Sequence, residues 1–188
     1  MSVLSGAVYD YVYTELSKTD GNYFEIGVFN GSGFARVAKE NPDKYCYAVD
    51  PFIEDGHTVL SSDKKTGEQL TQQKHNFLEN TKDLTNITLF EMTSSVYTKQ
   101  LTDQQCNEMN ITMVTIDGDH HYEHVAIDFE IALRLIGNKE GQIIVDDTDV
   151  SDVRRALNEF SEKYTYRITK EINAGGPTRV LLIKENNV

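Results

Sequence analysis

Two stretches of the chain place carboxylates directly behind apolar runs: Thr115-Ile116-Asp117-Gly118-Asp119-His120-His121-Tyr122 and Val145-Asp146-Asp147-Thr148-Asp149. If the two runs are strands of one sheet, their acids converge at a single rim. Carboxylates gathered at one point repel unless a cation neutralises them. An oxygen set of this kind suits Mg2+, Ca2+ or Mn2+. His120 and His121 are the imidazoles beside it. A third stretch, Glu25-Ile26-Gly27-Val28-Phe29-Asn30-Gly31-Ser32-Gly33, is a glycine turn. Glycines accept positive φ and let backbone N–H groups approach a ligand closely. Glu25, two residues before the first glycine, can anchor a cationic ligand tail through its neighbours. Asp50 follows another apolar run nineteen residues after Gly31, where an ionised carboxylate can accept both hydroxyls of a ribose.

Each feature also has a structural reading. Asp119 can cap a helix behind an exposed histidine pair, Asp146 to Asp149 can cap a helix opening near Ser151, and Asp50 can cap its own loop. His57 reads as solvated. The functional reading draws its weight from location, because every one of these clusters falls at the end of an expected strand.

The elements that position them alternate. Val3, Leu4, Ala7, Val8, Tyr11, Val12 and Leu16 recur at helical spacing and predict a helix over 2–17. Strands are expected at 22–27, 44–49, 87–92, 113–117 and 142–145, and helices at 32–39, 67–81, 97–106, 122–136 and 151–160. Residues 52–66 form a long polar loop. The chain closes with strands at 166–171 and 179–184, joined in hairpin fashion through Ala174-Gly175-Gly176-Pro177. Apolar strands alternating with helices imply a parallel sheet covered on both faces. The expected fold is a Rossmann-like, doubly wound α/β domain spanning 1–188, with a mostly parallel seven-stranded sheet and a C-terminal antiparallel hairpin. Such sheets bind ligands at the carboxyl ends of their strands.

Composition narrows the function classes. A net charge of −12 with no basic stripe argues against nucleic acid or an anionic membrane as partner. No run reaches the ~18 apolar residues needed to span a bilayer. The first residues lack the pattern of a secretory signal, and Cys46 and Cys106 show no metal or redox spacing. The expectation is a cytoplasmic protein with structural thiols acting on a small molecule.

The glycine spacing is GxxxGxG, not the GxGxxG of dinucleotide sites, and here the chain resembles the class I S-adenosylmethionine (SAM)-dependent methyltransferases. Phe29 stands where many members carry a glycine. The pattern IDGDHHYE, then Asp128, then GQIIVDD resembles the metal-dependent macrocin and mycinamicin sugar O-methyltransferase branch, over about residues 20–150; Gly141-Gln142 departs from its usual Gly-Gly. The resemblance implies SAM held by Glu25, Gly27, Phe29, Asn30, Gly31 and Gly33, with Asp50 on the ribose. Thr93, Ser94 and Asp117 would complete that pocket. It implies Mg2+ or another dication on Asp117, Asp146 and Asp147, and His120, with His121 as its competitor, as the base that deprotonates a hydroxylated acceptor, a sugar, polyol or catechol. With so little chain outside the core, either the acceptor site is open or a second subunit completes it, and a homo-oligomer is the expectation. Two other classes remain: a nicotinamide-dependent oxidoreductase, disfavoured by the glycine spacing and the lack of a Tyr-xxx-Lys pair, and a SAM-binding domain without catalysis.

Overall fold

The computed structural model describes residues 6–52, 67–164, 166–173 and 177–183. His57, most of the 52–66 loop and the 174–176 link lie outside them.

The order of elements is α1 (Gly6–Leu16), β1 (Asn22–Ile26), α2 (Ser32–Glu40), β2 (Cys46–Val49), α3 (Gly67–Thr81), β3 (Ile87–Phe90), α4 (Ser94–Gln100), α5 (Asp103–Met109), β4 (Ile111–Ile116), α6 (Tyr122–Ile136), β5 (Gly141–Val145), α7 (Ser151–Lys163), β6 (Tyr166–Asn173) and β7 (Pro177–Ile183). The strands form one seven-stranded sheet ordered β3-β2-β1-β4-β5-β7-β6. The first five are parallel, and β7 enters antiparallel between β5 and β6. This is the Rossmann-like architecture expected.

Both faces of the sheet are buried, which explains its apolar strands. Phe24, Ile26, Val114 and Ile116 pack with Tyr97, Phe129 and Phe160 beneath α4 to α7. Tyr23, Cys46, Ala48 and Met113 pack with Val12, Phe34 and Phe77 beneath α1 to α3. Each large apolar side chain so buried contributes about 1.5–3 kcal/mol. Cys46 and Cys106 are free and buried in opposite layers.

Two local expectations change. The single helix expected over 97–106 is two helices, because Thr93 caps α4 and Thr102 begins α5 with a capping box to Gln105. In α1 the buried residues are Val8, Tyr9, Val12 and Leu16. Tyr9, left out of the apolar stripe, is inside, whereas Tyr11 is half-buried and donates its hydroxyl to Gln142 Oε1 at 2.7 Å.

Strand register aligns the functional ends. Ile26 pairs with Val49 on one side and Ile116 on the other, and Ile116 pairs with Val145. The residues that follow, Gly27, Asp50, Asp117 and Asp146, therefore form a row along the carboxyl edge. The strand order reverses between β1 and β4, so the row spans the topological switch point. Among the described residues no helix is long and apolar enough to cross a membrane.

Candidate active site

The glycine turn leaves β1 in a left-handed conformation and keeps returning to it, with φ +83° at Gly27, +51° at Phe29 and +71° at Gly31. Phe29 thus holds the conformation a glycine would adopt freely, at a cost of about 1–2 kcal/mol. Gly27 has a second constraint: a Cβ there would lie 2.2 Å from the Asp117 carbonyl oxygen. β4 runs that close to the turn. Asn30 Oδ1 accepts a hydrogen bond from Ser32 N at 3.1 Å, and Gly31 caps α2.

The other glycines are set by neighbours that local pattern does not reveal. A Cβ on Gly31 would lie 2.4 Å from the Phe77 ring, and one on Gly33 only 1.9 Å from the Tyr9 ring. Helices α3 and α1 thus press on the turn from outside.

Glu25 is fully buried on the α1 side of the sheet. Tyr9 donates its hydroxyl to Oε1 and Tyr23 donates to Oε2, each at 2.7 Å. Burial pushes the carboxyl up to about 8, despite both bonds. Both Glu25 oxygens are thus engaged by these tyrosines. Asp50 turns back on the glycine loop: Oδ2 accepts from Val28 N at 2.9 Å and Phe29 N at 3.2 Å, and Oδ1 accepts from Phe52 N at 2.8 Å. The carboxylate expected on a ribose also shapes the turn that would hold the rest of the cofactor. Thr93 Oγ1 accepts from Val96 N at 3.3 Å. Ser94 faces Asp128, whose carboxyl is pushed up to about 7 by complete burial and drawn back most by Ser94.

The acidic cluster divides into two groups. His120 Nε2 lies 3.4 Å from Asp147 Oδ2 and 3.8 Å from Asp117 Oδ1. One ligand atom from each of Asp117, His120 and Asp147 lies within 4.8 Å of the others. His120 Nε2 is buried without an aligned hydrogen bond. Burial alone would lower the His120 pKa, but Asp117 and Asp147 outweigh it and raise it. Burial, with repulsion from Asp146 and Asp147, lifts Asp117 to about 7 against the pull of His120.

Asp119 points elsewhere. Its Oδ1 accepts from His121 N at 3.0 Å and lies 2.5 Å from His121 Nδ1, while Oδ2 lies 2.6 Å from His124 Nδ1. The helix cap is His121 itself, without a side-chain hydrogen bond.

The two adjacent aspartates after β5 also separate. Asp147 adopts φ +48°, which turns its carboxylate towards His120. Asp146 Oδ1 instead accepts a short hydrogen bond from Thr178 Oγ1 on β7. Of the three acids implied as metal ligands, Asp117 and Asp147 meet around His120, and Asp146 is shared with β7. Tyr9, Tyr23, Phe77, Thr178 and His124 were not among the expected site residues. His124 alone carried a local signal, an imidazole three residues past His121.

This arrangement, a glycine turn and an acid–histidine cluster on opposite sides of the β1/β4 switch point, places a candidate site where Rossmann-like sheets bind their ligands. A comparison with curated proteins finds no match. Among solved structures, cofactor-bound Rv0187 from MTB superposes with a TM-score of 0.69 at 14% identity, covering 98% of this chain and 83% of that one. A putative caffeoyl-CoA O-methyltransferase from Staphylococcus aureus gives 0.66 at 14% identity, with 97% and 85% covered. CalS11, a TDP-rhamnose 3'-O-methyltransferase of calicheamicin biosynthesis, gives 0.63 at 17%, with 94% and 77% covered. At these identities the likeness speaks for the fold. The family model described as "Methyltransferase domain" matches residues 24–148, and the chain belongs to that family, as a class I SAM-dependent methyltransferase.

Proposed function

We propose that the chain transfers the SAM methyl group to a hydroxyl of a small molecule, with a divalent cation held by Asp117 and Asp147 and His120 as general base. The observation that carries this reading is the convergence of Asp117, His120 and Asp147 within 4.8 Å, next to the turn that packs against Asp117.

The donor set fits a hard dication. Two carboxylates face one another across an imidazole, and the pKa of Asp117 is raised to about 7, first by burial and further by its acidic neighbours; a cation relieves that repulsion. Asp146 keeps one oxygen outside its Thr178 bond and adds charge to the same rim. When bound, SAM supplies the electrophilic methyl group, and the cation, with Mg2+ as the type, supplies Lewis acidity towards an acceptor hydroxyl.

The chain's own residues do the remainder. His120 takes the hydroxyl proton at Nε2. His120 fits better than His121, whose Nδ1 lies 2.5 Å from Asp119, away from the Asp117–Asp147 pair. Asp147 and Asp117 hold the imidazole and stabilise its protonated form. Asp50 and the glycine turn hold the SAM side, with Glu25 acting through Tyr9 and Tyr23. Fixing both reactants on one rim supplies the proximity on which methyl transfer depends. A sugar, polyol or catechol offers the paired oxygens that suit such a rim. A second subunit completing the acceptor side would appear as a dimer or larger species in sedimentation.

Titration calorimetry with SAM, with and without Mg2+, followed by transfer of labelled methyl to panels of sugars and catechols, tests the reading. Binding abolished by Gly31→Arg, with turnover lost in chelator, supports it. Methyl transfer indifferent to chelator and to Asp147→Asn would overturn the metal-assisted mechanism.

A further inference from the structure

We propose that Asp119, His121 and His124 form a second metal site, for one borderline transition-metal dication such as Zn2+, separate from the Asp117–Asp147 set. The inference rests on ligand chemistry. Two imidazoles and one carboxylate select Zn2+, Co2+ or Ni2+, whereas an oxygen-rich set selects Mg2+ or Mn2+. The loop from β4 to α6 and the first turn of α6 carry both kinds of donor and sort them into two groups, Asp117 and His120 with Asp147 in one, and Asp119, His121 and His124 in the other.

The geometry is close to a coordination sphere. Nδ1 of each histidine faces a different oxygen of Asp119, at 2.5 Å and 2.6 Å. The three ligand atoms lie within 4.8 Å of one another. In a tetrahedral site with bonds of about 2.1 Å, ligand atoms stand roughly 3.4 Å apart. Each nitrogen–oxygen pair therefore opens by less than about 1 Å to admit the ion. The imidazoles remain neutral in doing so: the proton moves from Nδ1 to Nε2, and Nδ1 presents its lone pair.

Asp119 is already oriented, because Oδ1 accepts the His121 backbone N–H at 3.0 Å. Its side chain is only 12% exposed, while those of His121 and His124 are 31% and 30% exposed. The carboxylate is the least exposed of the three ligands, and a water would take the fourth ligand position of a tetrahedral ion. A second observation concerns the field behind the histidines. Asp128 lies one helical turn past His124 on α6, fully buried, and among the described residues neither of its oxygens has an aligned hydrogen-bond partner. Its charge interacts with both His124 and Asp119. A cation beside these histidines would ease the burial of that carboxylate, which otherwise has Ser94 as its main stabilising neighbour.

A bound ion would tie the start of α6 to the loop that carries His120. The site would exist whether or not the acceptor is a sugar, so its test is separate from methyl transfer. Metal-free full-length chain is titrated with Co2+, and then Zn2+, in excess Mg2+, following the Co2+ ligand-field absorption and the heat. One equivalent of Co2+ that Mg2+ does not displace and Zn2+ does is expected. That equivalent is lost in the His121→Ala/His124→Ala double variant, and kept in Asp147→Asn and in His75→Ala. Retained SAM binding and an unchanged circular-dichroism spectrum show that the double variant is folded; should it misfold, Asp119→Asn, which preserves size, takes its place. No Co2+ binding, or binding lost in Asp147→Asn or His75→Ala while surviving in the double variant, overturns the proposal.

Discussion

Tyr9 in α1 donates its hydroxyl proton to Glu25 Oε1 at 2.7 Å, so the N-terminal helix is fastened to the strand that opens the cofactor turn. The same tyrosine ring fills the space beside Gly33. Helix α1 is thereby part of the glycine-turn side of the molecule, although no residue in it matches a cofactor motif.

Gly33→Ala drives a methyl group to 1.9 Å from the Tyr9 ring. Overpacking of this kind costs about 1–3 kcal/mol. Tyr9→Leu makes room for it, so the double variant is expected to be less destabilised than the sum of the two single changes. A double-mutant cycle in urea measures the coupling; additive losses would mean that α1 does not press on the turn.

Gly27→Ala is expected to be worse than Gly31→Ala. The first meets the Asp117 carbonyl oxygen at 2.2 Å, a backbone atom fixed by β4, and the second meets the Phe77 ring, which can turn aside. Both also strain a positive φ. A loss above ~3 kcal/mol and of SAM affinity is expected for Gly27→Ala, and about half that for Gly31→Ala. Melting curves and SAM titration of both variants check the order.

Glu25 makes stability depend on pH in the direction opposite to an ion-paired acid. Its pKa rises from 4.5 to about 8 on folding, so within that window the folded chain keeps a proton that the unfolded chain releases. Stability is then highest at the acid end of the window and falls as pH rises, by up to ~1.4 kcal/mol per pH unit. Glu25→Gln keeps a neutral group between Tyr9 and Tyr23 and removes this contribution. Urea midpoints of the two proteins at about pH 5 and about pH 8 should diverge, with the variant favoured at the higher pH. Parallel curves would show that Glu25 is ionised.

The aspartates after β5 should behave unequally. Asp147→Asn is expected to remove most Mg2+ binding, whereas Asp146→Asn, which can still accept from Thr178, weakens it about 10-fold. Mg2+ titrations monitored by calorimetry separate the two. Equal losses would place Asp146 among the direct ligands.

His120→Ala is expected to lower methyl transfer by about 10²–10⁴ while leaving SAM affinity unchanged. Single-turnover transfer from labelled SAM reads the first, and calorimetry the second. A variant with full turnover would move the base elsewhere, and His121→Ala would be the next to measure.

Much of this protein was legible in its sequence because the signals are local. Strand–helix alternation, the glycine spacing and acids placed just after apolar runs depend on backbone conformation and on neighbours a few positions away. Once strands pair in parallel, residues such as Gly27, Asp50, Asp117 and Asp146 must share an edge. The break at Thr102 was equally local but hidden, since a capping threonine inside an amphipathic pattern looks like one more polar position.

What the sequence by itself determined was the inventory: a doubly wound sheet, a glycine turn after β1, and an acid–histidine cluster on the far side of the switch point. Only the tertiary structure decided how that inventory is shared out. The carboxylates of Asp146 and Asp147 are neighbours in sequence, yet β7 claims one through Thr178 and a left-handed backbone turns the other to His120. Asp117 and Asp119 part in the same way, one towards the candidate catalytic rim and the other towards His121 and His124. The reasons Gly31 and Gly33 cannot carry side chains come from Phe77 and Tyr9, distant in the chain. Contacts of that range depend on which helix lies on which face and in which register, and packing of the whole core settles both.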